Sequence, residues 1–160
     1  MNRLVVMKFG GTSVEDAAAI QRTARIVSDR VAKGLQPIVV VSAMARVTDL
    51  LISAANIAAR GDRASALAIT ERLRIRHKDT ATQLIHAARP SEAQPPRPDP
   101  EEVAAHAWIE AEFDGLEEIL RGLAAVGELT PRIADMVVSY GERASSRMIA
   151  EAFARFGLGS

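Results

Sequence analysis

The chain has no cysteine. That excludes a disulfide scaffold, thiolate metal ligation and cysteine catalysis. It also has no surplus of charge: twenty basic side chains balance twenty acidic ones. There is thus no electrostatic footprint for nucleic acid or an anionic membrane, and any anion site must be local. No stretch approaches the roughly 20 apolar residues of a membrane span. The N-terminal apolar run Leu4-Val5-Val6-Met7 ends at Lys8 and is too short for a secretory signal. These absences predict a soluble cytoplasmic protein. Histidine is scarce too: His77, His86 and His106 lack metal-ligand spacing, so no metal site is expected and all three are read as surface residues.

What is present fits one domain, since 160 residues suffice to bury a real core. Leu4–Phe9 reads as a strand apolar on both faces, the pattern of a parallel strand covered on each side. It runs into Gly10-Gly11-Thr12-Ser13 and then a helix predicted over 14–33, with Ala17, Ile20, Ala24, Val27 and Val31 on one face. Thr12 and Glu15 fit a capping box, with Ser13 as the competing cap. Strand, glycine pair and helix start can form a phosphate-binding turn, because glycines admit backbone N–H groups to an anion and the helix end is electropositive. Lys8 would supply the full charge. It precedes the glycines, unlike the lysine of the common P-loop, and a plain tight connection explains the glycines equally well.

Ile38–Val41 reads as a second buried strand, completing a βαβ unit. Ser42–Asp49 leaves that strand and opens a helix with Val47, Leu50, Leu51, Ala54 and Ile57 on one face. Ligands of open α/β sheets sit beyond the carboxyl ends of strands, so Lys8–Ser13 and Ser42–Thr48 should share one rim.

The remainder is helical. A mixed-charge helix is predicted from Asp62 to about Arg89, marked by Leu67, Leu73, Leu84 and Ile85. Five of the seven prolines follow between Arg89 and Pro100, which makes 89–100 a surface loop. A helix over about 101–121 presents Ala104, Ala107, Trp108, Ala111, Leu116, Ile119, Leu120 and Leu123, with Trp108 expected in the core. Thr130-Pro131 is a clean helix start, and Gly141 is expected to interrupt that helix beside Glu142, an acid that reads first as a dipole or capping residue. Three parts result: a βαβα rim over 1–61, a helical insert over 62–127 and a final helical part over 128–160. Two strands do not make a stable sheet, so this looks like the opening of something larger.

Three segments carry a family resemblance. Lys8-Phe9-Gly10-Gly11-Thr12-Ser13-Val14, then Val40-Val41-Ser42-Ala43-Met44 with Val47-Thr48-Asp49, and last Gly141-Glu142-Arg143-Ala144-Ser145-Ser146 resemble the successive N-terminal signatures of aspartokinases, in the same order. The resemblance implies an α/β fold: part of the amino-acid kinase (carbamate-kinase-like) fold, a βαβ start followed by a mostly helical region. It implies phosphoryl transfer from MgATP to the β-carboxylate of L-aspartate, at the entry to lysine, threonine and methionine biosynthesis, in a homo-oligomeric full-length protein. By the same resemblance Lys8 contacts the transferring phosphate, and Phe9, Gly10, Gly11 and Ser13 line the ATP phosphates. Ser42, Thr48 and Glu142 contact aspartate, the last through its amino group. Two residues depart from the family pattern: Arg46 stands where many members have glycine, and Ala144 where a larger aliphatic is usual. The later glycine-rich nucleotide loop and the regulatory ACT domains of the family are absent from these 160 residues. The resemblance therefore implies a fragment inactive by itself. A kinase of glutamate, acetylglutamate or UMP, or a non-catalytic assembly fragment, is the alternative.

Overall fold

The structure, a computed structural model, describes residues 3–89 and 99–159. Most of the predicted proline-rich loop thus lies outside the described residues. Strand β1 (Arg3–Phe9) pairs in parallel with β2 (Leu35–Val41), from Arg3 opposite Leu35 to Phe9 opposite Val41. β2 begins ahead of its β-branched run and takes in Pro37.

Helix α1 (Ala17–Ala32) joins the strands and starts later than the sequence predicts. Gly11–Ser13 forms a separate 3-10 turn, closed by Ser13 N–H to the Gly10 carbonyl and Val14 N–H to the Gly11 carbonyl. Thr12 and Ser13 are consumed in that turn. The cap passes to Asp16, whose carboxylate accepts the Ala19 N–H at 2.7 Å, as suits a residue among the best N-caps. Ala17, Ile20, Ala24 and Val27 are buried as the periodicity requires, whereas Val31 stays 47% exposed.

Four helices follow: α2 (Val47–Ala59), α3 (Arg63–Ala87), α4 (Pro100–Val126) and α5 (Pro131–Arg155). α4 exceeds its predicted length at both ends. Pro100 is pre-set for a first helical position behind the Asp99 cap, and the chain leaves the helix only at Gly127, with φ 79°. Its buried face is Ala105, Ile109, Phe113, Leu116, Leu120 and Leu123. Ala104, Ala107 and Ala111 are exposed instead, because alanines on several faces blur the period and only the bulky residues define it. Trp108 sits at the edge of the core rather than inside it. Its indole N–H donates to Glu151 at 3.3 Å, and the Arg147 guanidinium lies 4.5 Å from its ring centroid.

Gly141 does not interrupt α5. A Cβ there would stand 2.9 Å from Val47 Cγ1 and 3.1 Å from both Ala43 Cβ and Leu51 Cδ1. The glycine lets α5 lie close against α2 and the loop before it. Glu142 is consequently a mid-helix residue and caps nothing. Arg46, by contrast, is the one described non-glycine residue in the left-handed region, with φ 67° as the N-cap of α2.

Helices α3 and α4 pack as an antiparallel hairpin held by charge as well as apolar contact. Arg74 is largely buried and reaches Glu110, Asp114 and Glu117 across the interface, while Lys78 also pairs with Glu110. His77 was expected at the surface but is fully buried. Its Nδ1 bonds the Leu73 carbonyl at 2.7 Å and its ring packs 5.1 Å from that of Phe113. It shares the α3 stripe of Leu73, Ala81 and Leu84, which the surrounding charges obscure in the sequence. His86 is exposed as expected, and His106 is half-buried against Thr82.

One sheet face packs inward through Met7, Phe9, Val39 and Val41. The other is open: Leu4 is 65% exposed, Val6 64%, Ile38 48% and Val40 43%. The expectation of a strand covered on both faces is therefore met on one face only within the described residues. No described helix is long and apolar enough to cross a membrane.

Burial pushes the His77 imidazole down to about 4, and the Arg76 charge adds to the effect. The unfolded chain thus takes up this proton first. Stability should be level above the unfolded pKa of about 6.5 and fall towards pH 4 by up to about 1.4 kcal/mol per pH unit. Urea unfolding over that range, with His77→Leu as the variant that loses this component, measures it. Two backbone substitutions should move stability in opposite directions in the same assay at neutral pH. Gly141→Ala should destabilise by about 1–2 kcal/mol, overpacking outweighing the gain in helix propensity. Arg46→Gly should stabilise by about 0.5–1 kcal/mol by relieving a left-handed side-chain residue.

Candidate functional site

Both strands end at the same edge, and the loops leaving them touch. The Ser42 N–H extends the ladder to the Phe9 carbonyl at 3.2 Å, and the Ala45 N–H donates to the Gly11 carbonyl at 3.2 Å. Gly11 leaves no room for a side chain, since a Cβ would lie 3.0 Å from the Ala43 carbonyl oxygen. Gly10 differs: nothing stands within 4 Å of where its Cβ would be, and it is exposed. One glycine is required by packing and the other leaves backbone open to solvent.

The third segment joins them through α5. Ser145 is fully buried, and its hydroxyl donates to the Ser42 carbonyl at 2.7 Å. With Gly141 seated on Ala43 and Val47, this fixes the Gly141–Ser146 turn against the loop after β2. The structure therefore brings together three stretches that are far apart in the chain.

The candidate side chains are placed unevenly. Lys8, Thr48 and Glu142 are exposed, and Ser13 and Ser42 are half-buried. Lys8 lies opposite Val40, on the open face of the sheet by strand alternation. Phe9 turns its ring to the core and offers the rim only backbone. Thr48 occupies the first turn of α2, whose N-cap Arg46 makes no side-chain capping bond. The Val47 N–H is taken by the Met44 carbonyl at 3.0 Å, and Arg46 leaves the next N–H groups of the turn without a side-chain cap, as an anion would require. Glu142 stands clear of its neighbour Arg143, which pairs with Glu112 at 3.0 Å.

Three supporting residues escaped the sequence reading. Thr23 donates its hydroxyl to the Ser13 carbonyl at 2.8 Å and is buried; a polar residue inside the apolar stripe of α1 was its only signal. Ser145 belongs to the Gly141–Ser146 motif, and the family resemblance gives it no role. Arg76 of α3 donates to the Ala45 carbonyl at 2.9 Å and to the Glu15 carbonyl at 2.8 Å, and nothing local in the sequence announces either contact.

Two other features stand apart from the candidate side chains. A cleft of 390 Å³ between α1, β2 and α5 is lined by apolar residues such as Val27, Val39, Ile149 and Phe153 and contains none of the candidate residues. It carries no charged side chain, and Ser146 is its one side-chain hydroxyl, so the rim remains the better site for a phosphate. His86, Asp99 and Glu102 gather within 4.8 Å where α3 ends and α4 begins. Asp99 is already paired with Arg89 and caps Glu101, and Glu102 is paired with His86.

The chain is similar to known proteins along most of its length. Aspartokinase 3, chloroplastic, of Arabidopsis thaliana is 32% identical over 157 residues, covering 95% of this chain and 24% of that protein. Aspartokinase of Rickettsia felis is 49% identical over 53 residues, 33% of this chain and 13% of that protein. Escherichia coli aspartokinase III, solved in complex with aspartate and ADP, shares the fold with a TM-score of 0.71 at 24% identity, over 98% of this chain and 30% of that one. The chain thus spans about a quarter of the length of the first of these relatives. The profile described as the amino acid kinase family matches residues 3–160, and on that match, with an aspartokinase-like βαβ rim and helical region, the chain belongs to the amino acid kinase family.

Proposed function

We propose that the chain is the N-terminal part of an aspartate kinase catalytic domain, which transfers the γ-phosphoryl group of MgATP to the β-carboxylate of L-aspartate. The observation that carries the proposal is the convergence of Gly10–Ser13, Ser42–Thr48 and Gly141–Ser146 on one rim, tied by the Ala45–Gly11 and Ser145–Ser42 bonds. The solved relative that shares the fold was captured with aspartate and ADP, which supports the same pair of ligands here.

The chemistry suits these residues. Phosphoryl transfer needs positioning and charge neutralisation more than covalent help. The acceptor carboxylate, with a pKa near 4, is already a nucleophile at neutral pH, so no general base is needed. Lys8 supplies the cation for the moving phosphoryl group, and the open backbone at Gly10, with Gly11, Phe9 and Ser13 beside it, suits the ATP phosphates. The uncapped start of α2 and the Thr48 hydroxyl suit an aspartate carboxylate, Ser42 adds a polar contact and Glu142 pairs with the ammonium group. Magnesium arrives with ATP, and none of these residues is assigned to it.

In this reading residues 1–61 form the rim, 62–127 a helical insert and 128–160 the helices that present Glu142. The whole protein works in the cytoplasm at the entry to lysine, threonine and methionine synthesis, as a homo-oligomer. In this reading a further nucleotide-binding half completes the rim.

In a polypeptide extended to the relatives' full length, Lys8→Ala should lower kcat by about 100-fold or more, whereas Glu142→Ala should mainly raise KM for aspartate. A hydroxylamine trap for aspartyl phosphate measures both, and normal turnover in Lys8→Ala would sink the mechanism. The 160-residue chain should form no aspartyl phosphate; clear product would show that the rim needs no second half. Offering glutamate, acetylglutamate and UMP in the same assay tests the acceptor.

A further inference from the structure

We infer that Arg76 is a positioning residue for this site: its guanidinium sets the spacing between the glycine turn and the acceptor loop. This gives the helical insert a part in the reaction. The inference rests on the reading of these loops as the phosphate and aspartate sides.

Arg76 stands on α3, 61 residues from Glu15 and 31 from Ala45, yet it donates to both of their carbonyls, at 2.8 and 2.9 Å. Both acceptors lie just ahead of the first turns of α1 and α2, on the loops that carry Gly11–Ser13 and Thr48. One planar group with its donors in a fixed fork therefore spans the two loops. A lysine ammonium, a point charge on a flexible stem, cannot hold two carbonyls at a set separation in the same way.

The bland alternative is that Arg76 only fastens α3. That helix is already held without it: Arg74 and Lys78 pair with α4, and Leu73, His77 and Leu84 are buried. Neither of these hydrogen bonds of Arg76 crosses to α4, because both acceptors belong to the rim. The neighbouring Ala45 N–H to Gly11 carbonyl bond joins the same two loops, so the fork acts in parallel with an existing contact and sets its geometry. Phosphoryl transfer is sensitive to such spacing, since a misplacement of about 1 Å can cost on the order of 100-fold in rate.

Two measurements test this. Amide hydrogen exchange on the 160-residue chain compares Arg76→Met, Arg76→Lys and, as a control, the exposed Arg72→Met. The expected result is exchange roughly ten-fold or more faster at Ala45 and Ser13 in Arg76→Met, partly restored in Arg76→Lys and unchanged in Arg72→Met, with α3 and α4 protected as before. Unchanged rim protection, or equal loss along the hairpin, overturns the clamp. In the extended polypeptide, Arg76→Met should lower kcat by about 10- to 100-fold with little change in either KM, and with partial recovery in Arg76→Lys. Loosened rim amides with unchanged kcat overturn the positioning role. Normal turnover in Lys8→Ala would overturn the phosphate reading alone, because the exchange result for Arg76 does not depend on Lys8.

Discussion

The backbone of Gly11 runs so close to the Ala43–Ala45 backbone that no side chain fits between them. A Cβ at Gly11 would lie 3.0 Å from the Ala43 oxygen and 3.3 Å from the Ala45 nitrogen. Much else follows from that approach. It lets the Ala45 N–H reach the Gly11 carbonyl, which brings the loop after β2 beside the glycine turn and leaves Gly10 as the backbone open to solvent. Gly141 repeats the device on the other side of the loop, where α5 lies on Ala43, Val47 and Leu51. Two glycines thus sandwich one short loop, and the polar groups of three segments meet around it.

Two parallel strands cannot support such a rim by themselves. Support comes from the helices, whose core runs through Leu51 of α2, Leu73 and Leu84 of α3, Ile109 and Leu116 of α4, and Val137 and Met148 of α5. Apolar packing alone tolerates sliding between long helices. The Arg74 contacts to Glu110, Asp114 and Glu117 are more demanding, since a buried guanidinium shifted off its carboxylates would lose its compensation. That network holds the register of the α3–α4 hairpin. Through it the position of Arg76 on α3 is set, and with it the reach to Ala45 and Glu15.

The open sheet face has a different meaning from the packed one. Leu4, Val6, Ile38 and Val40 would ordinarily be buried in a parallel sheet, and Lys8 continues their row by alternation. The relatives are several times longer than this chain. That row is the part of the sheet which the described helices leave open.

Where side-chain period and local capping carry the information, the structure was legible in the sequence. The two strands, the glycine turn between strand and helix, Val47, Leu51 and Ala54 on the buried face of α2 and the Thr130-Pro131 start of α5 belong to this group; Thr130 accepts the Ile133 N–H as an N-cap should. The convergence of Lys8–Ser13 with Ser42–Thr48 followed from parallel strands of a βαβ unit ending at one edge. What failed did so for identifiable reasons. The first cap of α1 moved to Asp16 because the 3-10 turn claimed Thr12 and Ser13, and the upper half of α4 was misread because alanine is compatible with either face.

Sequence by itself therefore determined the local elements, their order and the three motifs, since these depend on neighbours along the chain. Only the tertiary structure decided that Gly141 is a packing glycine inside a continuous helix, that His77 is buried and that Ser145, Thr23 and Arg76 hold the rim loops. Thr23 reaches only ten residues back, but Arg76 and Ser145 depend on atoms of distant segments, 31 to 103 residues away. No local pattern specifies which distant carbonyl a side chain will find until the packed helices bring it within reach.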